Sequence, residues 1–391
     1  MTSAGKRRKK DQDIHIGKKH SMHSRILREE RPYWVYLPAS YDARDKRHRY
    51  PVLYLLDRDG HFQSASGVVQ FMSGGINGNC QIPEMIVVAI PNTDRMRDLS
   101  PTHTKIGYQG KEEPSFESSG GGDTFLKFMR NELFPRIDSR FHTLPARILV
   151  GHSLGGLLAI HALLEYPEMF QACLAIDPSL WWDDERLTKN AEQKIGTIRK
   201  LRRALYITSA NGPRLKFFSP TKMRRAIRKF VKMLDAARSQ KFRLGFHYFE
   251  AEDHASVPLL SLYHGLLYIF EGFKQTDLES LSALQARFKR LSKRLGGDLL
   301  PPEGYVNGRG YITLYQLNDV KKALEFFEYN VSNYPRSANA YDSLAEGYMV
   351  KGDTARAIRN YQKSLKLDPG NQNAAKWIKQ LKDKKAASAS S

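Results

Sequence analysis

An apolar run, Ile148-Leu149-Val150, enters Gly151-His152-Ser153-Leu154-Gly155-Gly156, and a second apolar stretch, Leu157-Leu158-Ala159-Ile160 then Ala162-Leu163-Leu164, leaves it. The first run has strand character and the second helix character, so the residues between them read as a sharp strand-to-helix turn. Glycines flank the serine because a side chain there would clash with the turn. The serine hydroxyl then projects above the sheet. The amide of Leu154 opens the helix and is free to donate to a negatively charged oxygen. This nucleophile elbow restricts the chain to folds that deliver a strand, a turn and a helix around one exposed serine.

Further strand-like runs are Pro32–Pro38, Pro51–Asp57, Met85–Pro91, Ala172–Ile176, Ala204–Ile207 and Gly245–Phe249. Helical patterns alternate with them. One opens at Gly120-Gly121-Gly122-Asp123, with Asp123 expected as its N-cap and Phe125, Phe128, Met129 and Leu133 as its apolar stripe. Another is a basic amphipathic helix over Lys222–Arg238. Buried strands alternating with helices predict a mostly parallel sheet covered on both faces, an α/β-hydrolase fold. The C-terminal part differs. Pro335 and Pro369 stand 34 residues apart, the tetratricopeptide period, and Tyr341, Leu344, Ala345, Tyr348, Ala357, Tyr361 and Ser364 fit one repeat between them. A weaker repeat precedes it, with Tyr311, Leu314, Ala323 and Phe327, and Gln372–Lys384 reads as a capping helix. The expected organisation is therefore a basic, disordered tail over 1–21, an α/β-hydrolase domain over 22–273, a helical linker over 274–303 and a small all-α helical-repeat segment over 304–385. Two repeats and a cap bury little surface alone, so this segment is expected to dock on the larger domain.

Charge is unevenly spread over the 391 residues. The formal net charge is +21, and residues 185–243 hold 18 Lys/Arg against three Asp/Glu, whereas the elbow lies in a mildly acidic region. No aromatic interleaving or nucleic-acid module accompanies the basic stretch, so a solvated helical face is favoured over nucleic-acid binding. No apolar run approaches the roughly 18 residues of a membrane span. The basic run Lys6–Lys10 lacks a following apolar segment, which reads as no secretory signal and a cytoplasmic protein. Two cysteines, Cys80 and Cys173, cannot form a disulfide framework, and Cys173 reads as a buried thiol.

A serine hydroxyl needs a base within hydrogen-bond reach. In the chain order Ser, acid, His, the base lies on a loop after the last core strand, which makes His254 in Glu252-Asp253-His254-Ala255-Ser256 the candidate. The acid is open. The strand ending at Ala210 is followed by Asn211-Gly212-Pro213 rather than a carboxylate. Asn211 could orient the imidazole, Asp177 could reach it from the preceding strand, or Ser153 and His254 could work as a dyad with Glu252 or a carbonyl as acceptor. The second oxyanion donor is expected on the loop Leu56-Asp57-Arg58-Asp59-Gly60-His61-Phe62, at the amide of Arg58. Trp181, Trp182, His152 and Phe62 are candidate substrate-binding residues. Core packing explains the tryptophans equally well, and no metal or cofactor is expected.

The runs Val52–Asp57, Gly151–Gly156, Asp177-Pro178-Ser179-Leu180-Trp181-Trp182 and Asp253-His254-Ala255-Ser256-Val257 together resemble the "Putative esterase" family over residues 22–273. That group includes S-formylglutathione hydrolase, the mycolyltransferases and the trilactone-siderophore esterases. The Pro-Ser-Leu-Trp-Trp element is most similar to the last of these. The resemblance implies Ser153 as nucleophile and His254 as base. Two departures stand out: Arg58 occupies a position where siderophore esterases tend to have glycine, and the acid of formylglutathione hydrolases is missing, as in dyad-like siderophore enzymes. The expected function is hydrolysis of a small-molecule carboxylic ester through an acyl-enzyme. Alternatives are trilactone-siderophore hydrolysis and a non-catalytic scaffold that recruits a protein partner through its repeats.

Overall fold

The computed structural model describes residues 14–74, 80–211, 220–274 and 278–389. The Lys6–Lys10 run and the 212–219 part of the basic stretch lie outside the described residues. Eight strands form one sheet: β1 (Lys18–Ser24), β2 (Glu29–Tyr36), β3 (Tyr50–Leu55), β4 (Ile86–Ala89), β5 (Thr143–His152), β6 (Ala172–Ile176), β7 (Ala204–Ala210) and β8 (Arg243–Phe249). Their spatial order is β1-β2-β4-β3-β5-β6-β7-β8. β1 and β2 pair antiparallel and β2 joins β4 antiparallel, whereas every pair from β4 through β3 to β8 is parallel. Strand pairing thus reaches back to Lys18, inside the segment expected to be a disordered tail. From Lys19 to His23 exposed and half-buried residues alternate, an edge strand's pattern that a search for apolar runs overlooks.

The first helices in the chain are α1 (Arg58–Ser73), α2 (Arg95–Leu99), α3 (Gly122–Phe128), α4 (Phe134–Arg140), α5 (Leu154–Glu165), α6 (Trp182–Gln193), α7 (Ile195–Ile198), α8 (Pro220–Asp235) and α9 (Val257–Ile269). The cap of α3 is Gly121 and not Asp123. The Asp123 carboxylate instead pairs with His161 Nε2 at 2.7 Å, so it serves packing between α3 and α5. α6 is entered through three left-handed residues, Asp183, Asp184 and Glu185, at φ of 46°, 50° and 57°.

Side chains alternate across the parallel strands as the pleat requires. Val52, Tyr54, Leu149, Cys173, Leu205 and Ile207 point to one face, under helices that include α3, α4, α5 and α8. Leu53, Leu55, Ile148, Val150 and Leu174 point to the other, under α1 and α9. Burial pushes the Cys173 thiol far up, which keeps it protonated.

The C-terminal helices are α10 (Leu281–Leu295), α11 (Glu303–Tyr311), α12 (Val320–Asn333), α13 (Ala338–Val350), α14 (Thr354–Leu367) and α15 (Gln372–Ala389). α10 lays Leu284, Phe288, Leu291 and Leu295 into the α1–α9 face. The seam with the repeats runs along α12. Phe326, with Val306 of α11, joins that same core, while Ala323, Leu324 and Phe327 pack among Leu344, Ala345, Tyr348, Ala357 and Tyr361. The repeats therefore share a core residue with the sheet. Phe326 is 4% exposed, and Phe326→Ala is expected to cost about 3–5 kcal/mol. Urea unfolding of the purified variant should move to a clearly lower midpoint.

Candidate active site

The elbow forms at the C-terminal end of β5, the central region of the sheet. Ser153 has φ 58° and ψ −113°, a conformation that L-residues seldom occupy. The surrounding bonds hold it there: its amide donates to the Ile176 carbonyl at 2.9 Å, and its carbonyl accepts from Leu157 and Ser179 at 3.0 Å each. Glycine is required at position 151, where a Cβ would lie 2.2 Å from the Gly155 carbonyl group. Leu154 is the first residue of α5, so its amide belongs to the unpaired first turn. The Ser153 Oγ lies 3.0 Å from the Ser179 Oγ, a neighbour that sequence reasoning did not single out, although it follows Asp177-Pro178 directly.

His254 sits on the turn between β8 and α9. Asp253 shapes that turn: its carboxylate accepts from the amides of Ala255 and Ser256 at 2.9 Å each, and the Ser256 hydroxyl accepts from the Asp253 amide at 3.0 Å. The His254 Nδ1 lies 2.7 Å from Asp177 Oδ2. Asp177 stands after β6 at φ 40° and is 2% exposed. Its second oxygen accepts from the Ala210 amide at 3.1 Å, and its own amide donates to Thr208 at 3.1 Å. The carboxylate thus reaches across the end of β7 to the histidine. Asn211 is occupied elsewhere: its Oδ1 accepts from Arg224 and from Tyr248, each at 3.0 Å. The Glu252 carbonyl takes the Asn211 amide at 2.9 Å.

The other sequence candidates divide. His152 packs its ring 4.3 Å from the His254 ring, centroid to centroid, and 5.9 Å from that of His61. Burial, reinforced by His254, His61 and Arg95, holds its imidazole well below the ordinary value of 6.5. Trp181 is half-buried and meets Tyr108 edge-on at 4.9 Å, with the Lys222 ammonium 5.5 Å from its ring. Two expectations need correction. Trp182 is a core residue, 2% exposed, its indole N–H bonded to the Thr102 carbonyl at 3.1 Å. Phe62 is 7% exposed and packs edge-on against Trp34 at 5.4 Å, so it too serves the core. Arg58 opens α1 directly after Asp57, which is left-handed at φ 55°. A separate cavity of about 1120 Å³, lined by Asp42, Tyr50, Tyr305 and Arg336 among others, lies at the opposite end of β3, between the sheet and the repeats.

Two expectations follow. Gly151→Ala should destabilise the fold by about 3 kcal/mol or more, read as a lowered Tm, because backbone rather than a mobile side chain meets the new methyl. His152 remains neutral in the folded chain while the unfolded chain binds a proton below about pH 6.5. Its contribution is therefore intact above that pH and lost as pH falls, by at most about 1.4 kcal/mol per pH unit. A His152→Gln variant should lose stability less steeply than wild type between pH 6.5 and 5, as read by urea midpoints.

Comparison with known proteins agrees with this architecture. The family model described as "Putative esterase" matches residues 24–257, and a tetratricopeptide repeat model matches 338–371. The ferri-bacillibactin esterase BesA of Bacillus subtilis is 29% identical over 220 residues, 54% of this chain and 76% of that enzyme. The siderophore triacetylfusarinine C esterase of Aspergillus fumigatus is 28% identical over 174 residues, 40% of this chain and 53% of that enzyme. An IroE-like serine hydrolase structure from Shewanella oneidensis superposes with a TM-score of 0.72 at 30% identity, covering 81% of this chain and 99% of its own. The chain belongs to the "Putative esterase" family and is an esterase of the α/β-hydrolase fold with C-terminal tetratricopeptide-type helices.

Proposed function

We propose that the chain hydrolyses carboxylic esters through an acyl-enzyme on Ser153, with His254 as general base and Asp177 as the acid that orients it. The observation that carries this reading is the 2.7 Å contact between His254 Nδ1 and a carboxylate that is itself fixed by the Ala210 amide. An imidazole held by Nδ1 keeps Nε2 free to take a proton. Ser153 Oγ attacks the ester carbonyl carbon and its proton passes to His254 Nε2. Asp177 stabilises the imidazolium, and the amides of Leu154 and Arg58 receive the oxyanion. Collapse expels the alcohol, which takes the proton from His254. Water, deprotonated by the same imidazole, then releases the acid and frees Ser153.

A narrower reading, trilactone-siderophore hydrolysis, is favoured by the siderophores for which both esterase relatives are named. The aromatic and cationic group of Tyr108, Trp181 and Lys222 also suits it. Cleavage of short acyl esters with ferric trilactones left intact would remove that narrower reading alone. The helical repeats suit a protein partner, which would be additional to hydrolysis.

Hydrolysis of p-nitrophenyl butyrate by Ser153→Ala should fall to background, and wild-type rates there would contradict the mechanism. Asp177→Asn should lower kcat by on the order of 10³–10⁴-fold with the fold intact, because an amide favours the wrong imidazole tautomer.

A further inference from the structure

The cavity of about 1120 Å³ between the sheet and the repeats lies at the Tyr50 end of β3, away from the nucleophile elbow. Gly304, Tyr305, Gly308 and Arg309 of α11 form part of its wall. Glycine is a poor helix former, and inside a helix it usually makes room for something. Gly310, on another side of the same helix, makes room for Phe327: a Cβ there would lie 2.4 Å from the ring. Gly304 and Gly308 share one side of the helix and differ from it. A Cβ on either would meet nothing within 4 Å, so no neighbour among the described residues calls for them. What they keep open is the cavity.

Arg309 adds an unbalanced charge to this wall. It is 6% exposed. Its Nη2 donates to the Glu279 carbonyl at 3.0 Å, whereas Nε and Nη1 have no hydrogen-bond partner among the described residues. The Phe326 ring, 5.8 Å away, offers its face but no counter-charge. Buried guanidinium groups ordinarily face a carboxylate. Here the carboxylates that adjoin Arg309 or line the cavity are engaged with other groups. Glu279 takes Arg287 and, at 3.1 Å, the Tyr305 hydroxyl. Asp42 holds Arg44 and Arg336, and Glu303 accepts from Ser337 at 2.6 Å and from Asn339 at 3.2 Å. Glu84 accepts from the Ser40 hydroxyl, and Asp45 from the Arg47 amide at 3.2 Å. Ile82, Phe273, Leu299 and Leu300 make another part of the wall apolar.

We propose that this cavity binds a small organic carboxylate, its apolar body laid against α11 at Gly304 and Gly308 and its negative charge set against Arg309. Bare helix backbone at the two glycines lets an alkyl or aryl group come into van der Waals contact, which a side chain there would prevent. The carboxylate balances a guanidinium that the chain leaves short of partners, and a buried donor without a partner costs more than an ordinary hydrogen bond gains. An inorganic anion would meet the charge alone and leave the apolar wall in water. The site is separate from Ser153, so it adds a binding function to ester hydrolysis and stands whether or not the acyl-enzyme reading holds.

Sodium octanoate is the probe, with octanamide and inorganic phosphate as the uncharged and the purely charged comparisons, each titrated calorimetrically into the full-length protein. Octanoate should bind with Kd below about 1 mM, and octanamide and phosphate at least about tenfold more weakly. Arg309→Gln should weaken octanoate binding by about 10–100-fold. Gly308→Leu should remove it while Tm stays level or rises and p-nitrophenyl butyrate is hydrolysed at the wild-type rate, because the new side chain fills open space and leucine favours the helix. The glycine variant and the octanamide comparison read the site even where Arg309→Gln does not fold. No binding of octanoate at concentrations about tenfold above that limit would overturn the proposal. Octanamide or phosphate bound as tightly as octanoate would overturn it too, as would wild-type affinity for octanoate in folded Gly308→Leu or folded Arg309→Gln.

Discussion

Ser153 occupies a backbone conformation that costs about 1–3 kcal/mol, and the structure around it is arranged to hold that conformation. The surrounding sheet supplies the means. β5 runs in parallel between β3 and β6, so its end is flanked by two further strand ends, and the turns leaving all three meet at one edge. From β6 come the carbonyl that takes the Ser153 amide and, one residue later, Asp177. From the turn after β3 comes Asp57, whose carboxylate takes the Arg95 guanidinium at 2.6 and 3.1 Å. Only glycine at 151 lets α5 turn back this closely behind the half-buried Ser153.

The same logic of shared burial governs the C-terminal helices. Repeat units cannot cover both of their faces alone. Here α12 presents Phe326 to the hydrolase core and Phe327 to the repeat core, so one helix belongs to two cores. The helices from α10 onward extend the layer that covers one face of the sheet. Residues of α11 and α14, among them Tyr305 and Lys366, line the cavity at the Tyr50 end of β3, the end away from the nucleophile elbow.

Much of this was legible in the residues because the decisive signals are local. Apolar runs with Gly-x-Ser-x-Gly specify a strand, a turn and a helix within a dozen positions. The 34-residue spacing of Pro335 and Pro369 does the same for the repeat. The carboxylate beside His254 Nδ1 was harder to read. Asp177 is 77 positions from His254, and only the parallel order of β6, β7 and β8 brings a residue at the end of the first strand to a loop after the third. Asn211, nearer in sequence and placed where a carboxylate is usual, turns instead to Arg224 and Tyr248. Trp182 and Phe62 show the converse limit. An aromatic beside a site motif has the same composition whether it faces a ligand or the core, and only packing against Thr102 and Trp34 decides.

The central claim is that one serine carries the covalent chemistry. It is tested most directly by treating the folded full-length protein with a fluorophosphonate and mapping the adduct by peptide mass spectrometry. A single phosphonyl group on Ser153, formed with loss of esterase activity, is the expected result. A fully active protein with no adduct, or stoichiometric labelling of another residue with Ser153 unmodified, would contradict it.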